Sequence, residues 1–245
     1  MTLKVNRVCL LVAGILVISG LIHLGVFFVD DRPWGGPVSW RKPFTFGLSF
    51  GVTLASIVWV TSYLKMPSRS RTVLLYVFAA DCVVEVAGIT VQAWRDQPSH
   101  LNTTSPLNTA IAMTLAAGGA VLILVLGAFA VPAIRGHVNG ARSMVIAQRA
   151  GFILLIAGLL SGAAMIARGS IARANGEAAS QMYVVTGFLK DFHGVTLHGV
   201  LVLPALAWLV ARTRMGEPSR IRAVKLGIAA YGLAAAGALA VSLLS

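Results

Sequence analysis

Seven long runs of the chain, at residues 8–29, 44–64, 72–93, 107–131, 150–167, 192–211 and 226–244, carry almost no charge. Crossing about 30 Å of hydrocarbon takes roughly 20 apolar residues in a helix. A backbone in lipid must also satisfy its own hydrogen bonds, which leaves helices as the spanning element. The joints between the runs read RPWGGP, MPSRSR, RDQPSH, PAIRGH, RANGE and RMGEPSR, the punctuation of loops. The first run is too long for a signal-peptide core and is followed by no small-residue cleavage site, so it reads as a retained helix. With 57% hydrophobic residues, 11% charged and a mean hydropathy of +0.83, the chain falls in the membrane class. The expected fold is all-α: a polytopic integral membrane protein with seven transmembrane helices in one bundle over residues 1–245.

The formal net charge of +12 raises the question of nucleic acid, and its distribution answers it. In a seven-span arrangement Lys4, Arg7, Lys65, Arg69, Arg71, Arg135, Arg142, Arg149, Arg212, Arg214, Arg220, Arg222 and Lys225 share one side. The other side holds seven basic residues, tempered by Asp30, Asp31, Asp96, Glu177 and Asp191. The positive-inside rule then puts the N-terminus in the cytoplasm and the C-terminus outside. The basic excess is a topology signal and a contact for anionic lipid, not a nucleic-acid surface. Expected partners are membrane lipids, a lipid-soluble small molecule, and a second copy or another subunit of a membrane complex. Cys9 and Cys82 differ too much in depth to form a disulfide and read as small packing residues.

Polar residues inside the runs carry the chemistry. Asp81, Glu85, Gly88 and Gln92 recur at i, i+4, i+7 and i+11, a single stripe on the third helix. A carboxylate near the centre of a span costs on the order of 3 kcal/mol unless it is protonated, paired or metal-bound, so both acids are expected to face the bundle interior. His23 lies near the outer end of the first helix, with Ser19 one turn deeper on the same face. The sixth span opens KDFHGVTLHGVLVLP, giving His193 at the outer interface and His198 about 10 Å deeper. His100 and Arg95 belong to the outer loop WRDQPSHLNTTSPLN, and Lys42 to the start of the second helix. Four of the five histidines thus map to the outer half of the membrane.

Imidazoles with a carboxylate suit zinc or iron, and three protein ligands with an open position form a catalytic site. His23, His198 and Glu85 are the candidate metal ligands, with Glu85, Asp81 and His193 as candidate catalytic groups. A b-type haem held between two histidines is the alternative, Arg95, Lys42 or His100 helping to bind the cofactor. The substrate in either case is lipid-soluble: a quinone, an isoprenoid or an acyl lipid. Two further readings need no metal: Glu85 as the acid of an isoprenoid cyclase, and the carboxylates as the core of a proton-coupled transporter or channel for a small solute. There is no phosphate loop, CxxC, HExxH or CxxCH, and the last run has no lysine for a retinal Schiff base.

Ser19-x3-His23, a carboxylate in a later helix and a late histidine pair are similar to the pattern of the alkaline ceramidase and adiponectin-receptor superfamily of seven-helix zinc hydrolases. That family spaces its late pair by four where His193 and His198 are spaced by five. Over more of its length, from WGGPVSWRKPFTFG through QAWRDQPSHLN to DFHGVTLHGVLVLP, the chain resembles a family of bacterial seven-helix membrane proteins with no assigned activity.

Overall fold

In the computed structural model, which describes residues 2–244, caps and helix breakers set the element boundaries. The order is α1 (Thr2–Phe27), α2 (Arg41–Val60), α3 (Ser68–Trp94), α4 (Pro106–Ile134), α5 (Arg142–Ala174), α6 (Ala179–Thr186), α7 (Lys190–Ala211) and α8 (Glu217–Leu244). Pro106 opens α4, where its missing N–H would have had no partner in any case. Three helices close alike, on a residue in the left-handed region: Asp96 (φ 56°) after α3, Gly136 (φ 76°) after α4 and Gly176 (φ 78°) after α5. In each, the next N–H reaches back to a carbonyl of the last turn: Gln97 to Gln92 at 2.9 Å, His137 to Pro132 at 2.8 Å and Glu177 to Ala172 at 3.1 Å.

Among the described residues every α-helix except the eight-residue α6 is long and apolar enough to cross a membrane, which makes seven candidate spans. They overlie the seven expected runs and mostly extend them. The largest difference is α5, which continues past residue 167 through Arg168 and Arg173 to Ala174. α6 was not expected. It occupies part of the stretch between RANGE and KDFHG that reads as loop.

The chain divides into two compact units, the first comprising Met1–Ala55, Thr72–Leu122 and Ile166–Thr186. Within it α1 buries Val5, Cys9, Ala13, Leu16 and His23 along one stripe, and turns Leu11, Ile15, Ile18 and Ile22 outward at 56–67% exposure. An apolar face turned outward is what lipid solvates, so the usual soluble pattern is inverted. Against the inner stripe packs α2, at Gly47 and Gly51. A Cβ on Gly47 would sit 2.8 Å from the Leu16 carbonyl, and one on Gly51 would sit 2.6 Å from the Ala13 carbonyl. The GLSFG sequence is therefore a backbone-to-backbone crossing. Cys9 Sγ faces the Leu75 carbonyl of α3 at 3.6 Å, and both cysteines are buried thiols outside any disulfide.

The second unit comprises Ser56–Arg71, Ile123–Met165 and Gly187–Ser245. Its loops meet at one end: Lys65 N–H donates to the His137 carbonyl at 2.8 Å and Asn139 N–H to the Tyr63 carbonyl at 2.7 Å. The closing carbonyls of α2, which no intrahelical N–H can reach, are taken by side chains. Buried Arg71 donates to Val58 at 2.7 Å and Gln148 to Val60 at 3.1 Å. At the same end the Glu217 carboxylate accepts the Ser143 N–H at 2.7 Å, a negative charge on the first turn of α5. α7 lies on α5, and α8 lies on α7, where Tyr231 donates its hydroxyl to the Val195 carbonyl at 2.7 Å. The buried residues of α8 are Val224, Ala235 and Ser242.

Candidate functional site

The stripe on α3 faces α4 over its whole length. Gly88 packs against Leu115 of α4, and Gln92 Nε2 donates to Asn108 Oδ1 of the same helix at 3.1 Å. Lower on the stripe Glu85 is 3% exposed and Asp81 8%. Their carboxylates converge on Gly118: a Cβ at that position would lie 2.5 Å from Glu85 Oε1 and 2.9 Å from Asp81 Oδ1. Any side chain at 118 would fill the space that the two acids share. Asp81 Oδ2 is buried with no hydrogen-bond partner. Arg32 pairs with Asp30 and Asp96, and no cation among the described residues pairs with Asp81 or Glu85. The stripe and its inward facing are as the spacing predicts.

His23 has both ring nitrogens engaged. The Trp94 indole N–H donates to Nε2 at 3.1 Å. Since Trp can only donate, Nε2 is the bare nitrogen, and Nδ1 carries the proton that it gives to the Ser19 carbonyl at 2.7 Å. Trp40 stacks on the imidazole at 5.9 Å between centroids and meets Trp94 edge-on at 4.9 Å. Arg32 lies over the Trp40 ring at 4.2 Å and ties the loop to α3 through the Ala93 carbonyl at 2.8 Å. Its backbone N–H and guanidinium hold the Asp30 carboxyl below the usual carboxylate range. This arrangement anchors the end of α1 to the end of α3 and leaves no lone pair of His23 open to a metal.

Arg95, Lys42 and His100 are distributed over two neighbouring clusters of the same unit. Arg95 closes the α3–α4 loop by hydrogen bonding Gln92 Oε1 and, at 2.9 Å, Asn108 Oδ1. Lys42 donates to the Pro37 carbonyl at 2.9 Å and lies 5.8 Å from the ring of Tyr183 in α6. Arg41 donates to the Tyr183 hydroxyl at 2.6 Å. His100 is held by Ser99 at 2.9 Å and faces the Phe46 ring at 6.1 Å. Burial, with the nearby Lys42 charge, pushes its pKa down to about 4, so the ring is neutral at physiological pH. Tyr183 was not among the expected site residues, because nothing in its sequence surroundings marks α6.

In the second unit the two α7 histidines turn to different partners. His193 Nδ1 bonds the Gly158 carbonyl of α5 at 2.8 Å, with Ser161 Oγ at 3.2 Å. The glycines of GLLSG leave the room for this: a Cβ on Gly162 would lie 2.9 Å from the His193 ring. His198 instead donates to the Gly194 carbonyl of its own helix at 2.6 Å. Their five-residue spacing puts them about 140° apart round the helix, and the different partners follow from it.

Among the described residues no group of three or more His, Cys, Asp or Glu side chains is arranged to hold a metal ion. The metal and histidine-cluster expectations for His23, His198 and Glu85 therefore find no support in the geometry. The physical reason is visible residue by residue: His23 is saturated, His198 folds back on its own backbone, and Glu85 turns to Asp81 and Gly118. The chain matches no protein-family model, no curated protein and no solved structure.

Proposed function

We propose that this chain is a proton-coupled membrane carrier, its N-terminus in the cytoplasm and its C-terminus outside, with Asp81 and Glu85 as the proton-exchanging centre. The single observation that carries this reading is the convergence of two buried carboxylates on Gly118 with no cation of the described residues paired to them. Two adjacent negative charges inside an apolar span repel one another in a medium that screens poorly. The pair needs a positive species that its surroundings do not supply, and a proton is the smallest that serves. A site that takes up and releases a proton inside the membrane is the working part of a coupled transporter. The orientation rests on the distribution of Lys and Arg, and a small or lipid-soluble solute is the cargo.

The test is chemical. A hydrophobic carbodiimide couples to protonated carboxyls in apolar surroundings, and peptide mass mapping locates the adduct. Labelling is expected at Glu85 or Asp81, suppressed at high pH, and lost from the mapped peptide in the double variant Glu85→Gln/Asp81→Asn. In reconstituted vesicles the same variant should abolish pH-gradient-driven movement of whichever solute the parent carries. An α3 peptide that stays unlabelled across the pH range, together with an unchanged infrared carbonyl region in the variant, would remove the pair from any proton chemistry.

A further inference from the structure

The charge of the chain is concentrated in the second unit, which holds twelve of the twenty basic residues and two of the eight acidic ones. One of those acids, Glu217, is already committed to the Ser143 N–H. Near it the turn from α7 to α8 and the first turns of α8 contain Arg212, Arg214, Arg220, Arg222 and Lys225. Two of these are occupied by the protein: Arg212 stacks over the Trp208 ring, and Arg220 donates to the Thr213 carbonyl at 3.1 Å.

Arg222 and Lys225 are placed differently. Spaced by three on α8, they share a face, and both are exposed. Together with Pro218, Ile221 and Leu226 they line a shallow groove of about 360 Å³. The groove is amphiphilic along the helix axis, since the two cations stand just before Leu226, and from there α8 runs to its end without a charge. Trp208 meets Trp59 edge-on at 6.3 Å between centroids, and Trp59 meets Tyr63 at 6.1 Å. Such an aromatic group belongs at headgroup depth. A phosphate level with the cations and an acyl chain along Leu226 would match the lining from Arg222 onward, with Pro218 and Ile221 on the far side of the phosphate.

We infer that this groove is a binding site for one anionic phospholipid, its headgroup phosphate held by Arg222 and Lys225. This is a defined site, separate from the general attraction of a basic protein for an anionic leaflet, and it does not depend on the Asp81–Glu85 reading. Each Lys or Arg near a charged lipid surface strengthens attachment about fivefold, so the pair should favour an anionic headgroup over a zwitterionic one by more than tenfold.

The experiment uses the full chain in detergent mixed with equal amounts of phosphatidylglycerol and phosphatidylcholine, with retained lipid counted by native mass spectrometry. The parent should keep phosphatidylglycerol selectively. Arg222→Gln/Lys225→Gln should lose that preference by more than tenfold, whereas Arg222→Lys should keep most of it. Lys4→Gln/Arg7→Gln removes the same charge from α1 and should leave the count unchanged. Equal loss in the two double variants, or none in either, overturns the site. Inorganic phosphate at matched concentration should not displace the lipid, and if it does, the groove binds phosphate and the lipid assignment fails. Circular dichroism of each variant checks that the helices persist.

Discussion

Trp94 and His23 share a hydrogen bond that agrees with the Ser19 carbonyl on which imidazole nitrogen is protonated: the indole can only give a proton to Nε2, and the carbonyl can only take one from Nδ1. The bond joins residues 71 positions apart and fastens the end of α1 to the end of α3. Trp94→Phe keeps most of the ring and removes the donor. It should lower stability by about 1 kcal/mol, while nitrogen NMR of the imidazole should still show the Nδ1-protonated tautomer, held by the Ser19 carbonyl at 2.7 Å. A mixed or Nε2-protonated imidazole in the variant would show that the Trp94 donor, and not the Ser19 carbonyl, sets the tautomer.

Gly118 stands where the carboxylates of Asp81 and Glu85 meet. Gly118→Ala would place a methyl 2.5 Å from Glu85 Oε1, an overpacking that should cost about 1–3 kcal/mol. In a Glu85→Ala background the same substitution should cost clearly less, since the oxygen in its way is gone. A double-mutant cycle by thermal unfolding in detergent measures the coupling. Additive costs would mean that the methyl is accommodated without moving Glu85.

His100 predicts an acid-side loss of stability. Its folded pKa of about 4 lies below the ordinary 6.5, so between those values the unfolded chain binds a proton that the folded chain refuses. Stability contributed by the neutral ring is therefore intact above pH 6.5 and falls progressively as pH drops towards 4. His100→Gln should flatten that limb of the curve of unfolding temperature against pH. A limb equally steep in the variant would assign it to another group.

How far the sequence could be read differs between helices and sites. The spans were legible because lipid tolerates so few charges, but charge marks where water begins, and a helix can continue past that point. α5 shows the difference: Arg168 ends the uncharged run, whereas the helix ends on the left-handed Gly176. The Asp81–Glu85 stripe was legible from its four-residue spacing. Its counterpart was not, since Gly118 contributes an absence of side chain, and an absence leaves no pattern. Reading depth alone, His23, His193, His198 and His100 fall together in the outer half of the membrane. Which way each ring turns is set by rotamer and by partners far off in sequence: Trp94 for His23, Gly158 for His193, and its own helix for His198.

α8 buries fully only Val224, Ala235 and Ser242 against the rest of its unit. Most of its circumference is exposed and apolar, so in the bilayer proposed above its lodging is a property of the solvent as much as of the protein. A bilayer squeezes such a rod against its neighbour from every side. Short-chain detergents do not, and the final helix is the piece that solubilisation should loosen first.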